Sequence, residues 1–370
     1  MNEDKAVRYN RLKRRSSVLS LAWTVVFLLL LVFTGASVSL RTAAESLAAR
    51  AGVPATSLPL YVLLLIALNE IVSLPIAFHS GFVVERRYGL SRESFGAWLG
   101  DQAKAMALGA GLSIGAAAIV YGSMRVSLAW WWLIAGGAFA LVIVSLANLA
   151  PVVLLPLFYR VQPLGREALR TRLLALAERA GARVLGAYEW GLGDKTRKAN
   201  AALAGLGSTR RILVSDTMLR EYSDEEIEVV LAHELAHHVH GDIWKGIALE
   251  AALIVAGFAF AARILEAAAG PAGLRGVSDV AGIPILLLAA GAVSMATLPA
   301  AHALSRAYER NADRFALDLT NNPGAFVSAM RRLGAQNLAE EHPSKIVQWL
   351  FYSHPPLAER IAAAERYRAA

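Results

Sequence analysis

Residues 229–265 read VVLAHELAHHVHGDIWKGIALEAALIVAGFAFAARIL. Two kinds of sequence meet here. The first part carries His-Glu-Leu-Ala-His, a spacing that can hold a metal ion on a helix. From residue 244 to 265 the chain turns apolar over a length that can cross a bilayer. The stretch places a candidate metal site at a membrane, and the rest of the chain is read outward from it.

The composition agrees with the apolar half. Of 370 residues, 56% are hydrophobic, above the roughly 45–50% of soluble chains. The excess lies in long apolar runs at 16–40, 58–84, 105–124, 126–158, 244–265 and 280–304. The first follows a basic segment, MNEDKAVRYNRLKRRSS, but is longer than the roughly 7–15 residues of a signal-peptide core, so it reads as an uncleaved anchor. The second run contains Glu70, Pro75 and His79, and the fourth opens on Trp130, Trp131 and Trp132, an interfacial aromatic group. Its far end, NLAPVVLLPLFYR, carries two prolines and is expected to kink or end irregularly. Charged, water-facing sequence fills 160–245 and returns from 306.

The net charge of +8 does not point to nucleic acid, because the basic residues sit beside the apolar runs. The N-terminal segment, the loop ERRYGLSRESFGAWLGDQAK and the region after Phe158 are basic. The loops at 41–57, around Arg125 and at 263–279 are poor in basic residues. Six spans put every basic segment on one side, taken as the cytoplasm. The absence of cysteine excludes disulfides, thiolate metal sites and a cysteine nucleophile.

The segment SDEEIEVVLAHELAHHVHGD reads as a helix with Ser223 as N-cap, Glu226 completing a capping box and Gly241 as the stop. His233 and His237 then lie one turn apart on one face and can bind one zinc ion. Glu234, beside the first ligand, can take the proton of the attacking water and pass it to the leaving amine. His238 and His240 are off that spacing and read as solvated. A site of this type needs a third protein ligand. SRAYERNADRFALDL offers Glu309, with Asp313 one turn on to hold a ligand histidine. Spacing alone equally allows a surface helix laced with ion pairs of Arg306, Arg310 and Arg314.

HELAH and YERNADRFA, taken with FVVERRYGLSRESFGAWLGDQAK, APVVLLPLFYRVQPL, KANAALAGLGSTRRILVSDTML and WLFYSHPPLAERI, resemble the integral-membrane zinc proteases of the CAAX prenyl protease 1 family. The resemblance runs in order over nearly the whole chain after the first span. It implies Glu309 as the third zinc ligand and a helical membrane barrel around a chamber that the site faces. It implies that Asn200 and Ala201 lie on an edge strand pairing with the substrate backbone. It implies that His354 stabilises the oxyanion, on a turn stiffened by Pro355 and Pro356. Arg360 would support the site or meet a substrate carbonyl or carboxylate. Where family members often have aromatic residues after Asn-Ala, this chain has Ala202 and Leu203, which opens the groove. Six visible runs, where eukaryotic members have one more, resemble a bacterial member.

The expected fold is mainly α: a polytopic α-helical membrane protein of about six transmembrane helices enclosing a chamber, with a zinc-metalloprotease domain holding a small β-hairpin or sheet. Expected boundaries are 1–158 for the first four spans, 159–245 for the cytoplasmic catalytic domain, 246–305 for two further spans and 306–370 for the rest of the catalytic domain. The expected activity is zinc-dependent endoproteolysis of membrane-associated, CAAX-type or amphipathic peptides, with one zinc per chain, in a bacterial inner membrane. A quality-control protease for damaged membrane proteins and a non-enzymatic transporter or scaffold are the alternatives. Glu70 reads as lining a water-filled chamber or as a paired carboxylate, His79 and His302 as interfacial, and His342 as a loop residue.

Overall fold

The structure, a computed structural model, describes residues 4–149, 153–205 and 209–369. In chain order the membrane half holds α1 (Lys5–Phe33), α2 (Ala36–Arg50), α3 (Ser57–Phe78), α4 (Val84–Arg87), α5 (Phe95–Val126), α6 (Trp131–Leu149) and α7 (Leu155–Phe158). There follow β1 (Val161–Pro163), α8 (Glu167–Arg179), β2 (Ala187–Trp190), β3 (Ala201–Ala204), β4 (Arg211–Ser215), α9 (Asp216–Glu221) and α10 (Asp224–Val239). The chain continues through α11 (Asp242–Ala268) and α12 (Ile283–Thr320) to α13 (Pro323–Asn337), α14 (Lys345–Phe351) and α15 (Leu357–Ala369).

Among the described residues five helical stretches are long and apolar enough to cross a membrane: Lys5–Phe33, Pro54–Arg87, Phe95–Val126, Asp242–Ala268 and Val280–Thr320. The shorter apolar α6 accompanies them. Leu30, Ile71, Leu112 and Leu141 are exposed on their surfaces, as side chains facing lipid are. Inside the bundle Tyr61, Met124, Trp131 and Leu265 pack as one buried cluster.

Three boundaries differ from the apolar runs. The run at 16–40 is not one anchor: α1 ends at Phe33, and Gly35 takes φ 71°, a left-handed turn that glycine adopts without strain. The remainder joins α2, which returns against the bundle with Ala44 in its core. The run at 280–304 does not stop there. α12 continues to Thr320, because the charged segment after it keeps helical spacing. The fourth run starts its helix only at Trp131, α5 reaching to Val126; Pro151 lies outside the described residues, while Pro156 sits in the first turn of α7, where its missing N–H costs nothing.

The bundle has two distinct ends. The loops poor in basic residues meet at one of them. Arg41 of α2 forms a buried ion pair with Asp279, whose backbone carbonyl accepts from the Tyr121 hydroxyl at 3.0 Å. Ser37 donates to the Ala281 carbonyl at 2.6 Å. Breaking a buried pair leaves one charge without compensation. Arg41→Ala is therefore expected to destabilise the protein by about 3–5 kcal/mol, seen as a lower midpoint of thermal unfolding in detergent, with Arg41→Lys retaining part of the loss.

At the other end the basic segments converge on the half of the chain that carries the sheet. Glu85 accepts from the Tyr9 hydroxyl at 2.7 Å and pairs with Lys13 at 3.0 Å and Lys198 at 3.1 Å. Between α1, α3 and α5 runs a polar crevice of about 610 Å³, lined by Ser17, Ser20, Thr24, Ser73 and Glu70. Glu70 thus faces a crevice, not the packed core.

The half outside the bundle is built on a four-stranded mixed sheet of order β1-β2-β4-β3, with β2 and β4 parallel and the other pairs antiparallel. β3 and β4 form the expected hairpin, whose tip at 206–208 lies outside the described residues. Ile212 and Val214 of the sheet, Ile227, Leu231 and Leu235 of α10, and Phe326 and Met330 of α13 form one buried core. This core fixes α10 between the sheet and α12.

Candidate metal centre

α10 begins with the capping box the sequence calls for: the Ser223 hydroxyl accepts from the Glu226 N–H and the Glu226 carboxylate from the Ser223 N–H. It ends at Gly241, φ 69°. That left-handed turn starts α11 with Asp242 folded back toward α10. Leu231, Leu235 and Ala236 bury one side of α10 completely, which orients its histidines toward α12. The His233 and His237 rings lie 5.1 Å apart and nearly perpendicular.

Across from them stands Glu309, 6% exposed on α12. Its carboxylate lies 3.2 Å from His233 Nε2, 3.3 Å from His237 Nε2 and 3.4 Å from His354 Nε2. One ligand atom from each of His233, His237 and Glu309 falls within 4.8 Å of the other two. The opposite ring nitrogens are held by carboxylates: His233 Nδ1 by Asp313 at 2.8 Å and His237 Nδ1 by Asp242 at 3.1 Å. This fixes both tautomers so that each Nε2 lone pair is directed at the shared point. Arg360 backs the arrangement, donating to both Asp313 oxygens at 2.8 and 2.6 Å.

The donor set fits a metal ion. Glu309 Oε2 is buried and accepts no well-directed hydrogen bond, although His233 Nε2 stands 3.2 Å away. Such an orphaned oxygen is costly unless a cation meets it. Of the three carboxylates around the two imidazoles, Asp313 is paired with Arg360 and Asp242 with Lys245, which leaves the charge of Glu309 to be met. Burial pushes His233 down, but hydrogen bonds to Asp313 and Glu309 outweigh it and hold the imidazole up at about 9. A proton there stands in for the cation. Burial raises the Glu234 carboxyl above its ordinary range, with the neighbouring histidines opposing the shift. Desolvation within the site, then Arg360, His233 and His237, lower the His354 imidazole below its ordinary range against the attraction of Glu309, although the side chain keeps an exposed face.

The structure therefore brings His233, His237, Glu309, Asp313, His354 and Arg360 to one place, with Glu234 half-buried on the same helix. Arg360 is engaged with Asp313, behind the centre. Ala201 opens β3, at the edge of the sheet, and Asn200 immediately precedes it. Glu309 itself is buried against the two histidines, and Arg306 donates to the Gln348 and Tyr352 carbonyls at 3.2 and 2.7 Å, while Arg310 makes an exposed ion pair with Glu359 as a surface helix would.

Two expectations are corrected and two residues added. His238 is not solvated: it is half-buried, with Nε2 3.2 Å from the Leu203 carbonyl. His240 packs edge-on against Phe315, centroids 5.4 Å apart. Asp242 was legible only as the residue after a helix-stopping glycine. Arg306, one turn before Glu309, ties the carbonyl end of α14 to α12 and so anchors the turn that carries His354; its position in a charged stretch gave no such signal.

Comparison with known proteins places this geometry. Residues 163–368 match the model of peptidase family M48, and residues 2–160 match the model described as the CAAX prenyl protease N-terminal region with five membrane helices. The chain is 29% identical over 310 residues to a Bacillus subtilis protein described as the uncharacterized metalloprotease YhfN, covering 83% of this chain and 72% of that one. It is 26% identical over 326 residues to CAAX prenyl protease 1 of Saccharomyces cerevisiae, covering 82% and 70%. The crystal structure of S. mikatae Ste24p superposes with a TM-score of 0.86 at 21% identity, over 97% of this chain and 87% of that one, and so shares its fold. With one model spanning more than half of the sequence and the other the membrane helices before it, the chain belongs to peptidase family M48, as an integral-membrane metalloendopeptidase.

Proposed function

We propose that the protein is a zinc-dependent endopeptidase that cuts membrane-associated or amphipathic peptides, CAAX-type peptides among them, on the cytoplasmic face of a bacterial inner membrane. The observation that carries this reading is the convergence of two carboxylate-fixed imidazoles on one buried carboxylate, Glu309, His233 facing its orphaned Oε2 and His237 its Oε1. His233, His237 and Glu309 hold the metal, with Asp313 and Asp242 orienting the histidines. Two nitrogens and one oxygen, with no sulfur, suit zinc. A zinc ion in that position supplies Lewis acidity toward water and toward the peptide carbonyl.

The other steps belong to the chain. Glu234 accepts the proton of the attacking water. Its raised affinity for protons suits a group that must then give that proton to the departing amine nitrogen as the C–N bond breaks. His354 donates from Nε2 to the carbonyl oxygen as it gains negative charge. The Ser353 hydroxyl, 2.9 Å from His354 Nδ1, donates to that nitrogen and keeps the proton on Nε2. Asp313 and Arg360 form a rigid support behind His233. The substrate backbone adds to the edge of β3 near Asn200 and Ala201. The polar crevice beside Glu70 leads water and polar chain into a lipid-surrounded fold; the chamber of the proposed catalytic cycle includes it. The proposed division is 1–158 and 246–305 for the membrane part and 159–245 with 306–370 for the catalytic part.

The metallopeptidase family match removes support from the transporter or scaffold reading. Substrate class is tested by offering detergent-purified protein a farnesylated CAAX peptide beside an unmodified amphipathic peptide. Chelator-sensitive cleavage of the unmodified peptide, at a rate within about tenfold of the farnesylated one, is expected. Cleavage confined to the farnesylated peptide would replace general membrane proteolysis with prenyl-peptide processing.

A further inference from the structure

The edge strand β3 is open along only a short length. Its pairing with β4 joins Ala201 to Val214 and Leu203 to Ile212. The Ser215 N–H donates to the Asn200 carbonyl at 2.9 Å, so Asn200, Ala202 and Ala204 direct their backbone groups at β4. The N–H and C=O of Ala199, Ala201 and Leu203 therefore point the other way, toward the free edge.

Side chains occupy both ends of that edge. At Ala199 the Asn337 amide does what a neighbouring strand would do: its Oδ1 accepts from the N–H at 3.0 Å and its Nδ2 donates to the C=O at 3.1 Å. Asn337 is the last residue of α13 and is followed by Leu338 at φ 51°, which ends the helix. At Leu203 the C=O lies 3.2 Å from His238 Nε2, and since a carbonyl only accepts, that nitrogen carries the proton. Among the described residues this leaves the Ala201 N–H, the Ala201 C=O and the Leu203 N–H for a peptide.

We propose that Asn337 and His238 are positioning residues that set the register of the bound peptide. Strand addition on an open edge does not by itself choose a register. A slip of two residues returns every side chain to the same face, so side-chain pattern penalises it weakly. Closing the edge at Ala199 and Leu203 removes the slipped pairings. The peptide then has one N–H acceptor, the Ala201 carbonyl. His238 adjoins His237 on α10, so the cap and the metal-binding face keep a fixed separation, and one peptide bond is presented to the centre. This inference rests on the strand-addition reading above and adds its length and its limits.

The test is a backbone N-methyl scan of an amphipathic peptide that the full-length protein in detergent cuts at one bond. For the wild type, one position outside the scissile bond is expected to raise KM about tenfold, as loss of one hydrogen bond with steric blockage does. For His238→Ala, a second sensitive position should appear two residues away, and mass spectrometry should find a second product cut two residues off, at roughly a tenth of the total or more. His238→Gln, whose amide can still donate, should restore the single position. Asn337→Ala serves as the independent variant, with the second position on the opposite side. Two sensitive positions in the wild type, or one unchanged position and one product in both alanine variants, would overturn the register role and leave strand addition standing. No sensitive position in a wild type that still cleaves would overturn strand addition, and this inference with it.

Discussion

Glu234→Gln is expected to lower peptide cleavage by about 10²–10⁴-fold while the bound metal stays at the wild-type level. The amide keeps the size of the side chain and its half-buried place on α10. It cannot take a proton from water or return one to the amine. The expected loss falls in kcat and kcat/KM together, because the interaction exists only in the transition state. Metal content measured beside cleavage separates this from collapse of the site. Full activity in the variant would remove Glu234 from the proton pathway.

His237→Ala is expected to lose the metal outright, and cleavage with it. His237 supplies one of three ligand atoms, and Glu309 and His233 alone cannot complete the site. Asp242→Ala should be milder, weakening metal affinity about 10–100-fold. That substitution leaves the ligands in place but frees His237 Nδ1, so the ring can rotate and its tautomer is no longer fixed. Competition with a chelator of known affinity measures both. Wild-type metal content in His237→Ala would strike that residue from the ligand set.

The apolar runs were legible because bilayer length and absence of charge are properties of composition in a window. The sequence did not show that Gly35 turns the first run back into α2, since a glycine in an apolar run marks a turn only once its φ is known. Nor did it show that α12 carries its helix past the membrane to Thr320. The strands of the sheet run three to five residues, too short for periodicity to reveal that β2 and β4 are parallel.

In the site, His233, Glu234 and His237 are legible from one helical turn. Glu309 is not legible from spacing, which equally allows an arginine-rich surface helix; the resemblance carried by YERNADRFA names it, and the packing of α12 against α10 brings it to the histidines. Asp242 escapes for a related reason: its partner His237 is near in sequence, but only the left-handed turn at Gly241 brings the two together. His238 and Asn337 act through backbone groups of β3, and a sequence carries no trace of which carbonyl a histidine meets.

The most direct test of the central claim is zinc K-edge X-ray absorption on the detergent-purified protein, with His237→Ala as the control. A low-coordinate shell with two imidazole nitrogens at about 2.0–2.1 Å and carboxylate oxygen at about 2.0–2.2 Å is expected, lost in the variant. A shell with no histidine signature, or one that survives the loss of His237, would contradict that claim.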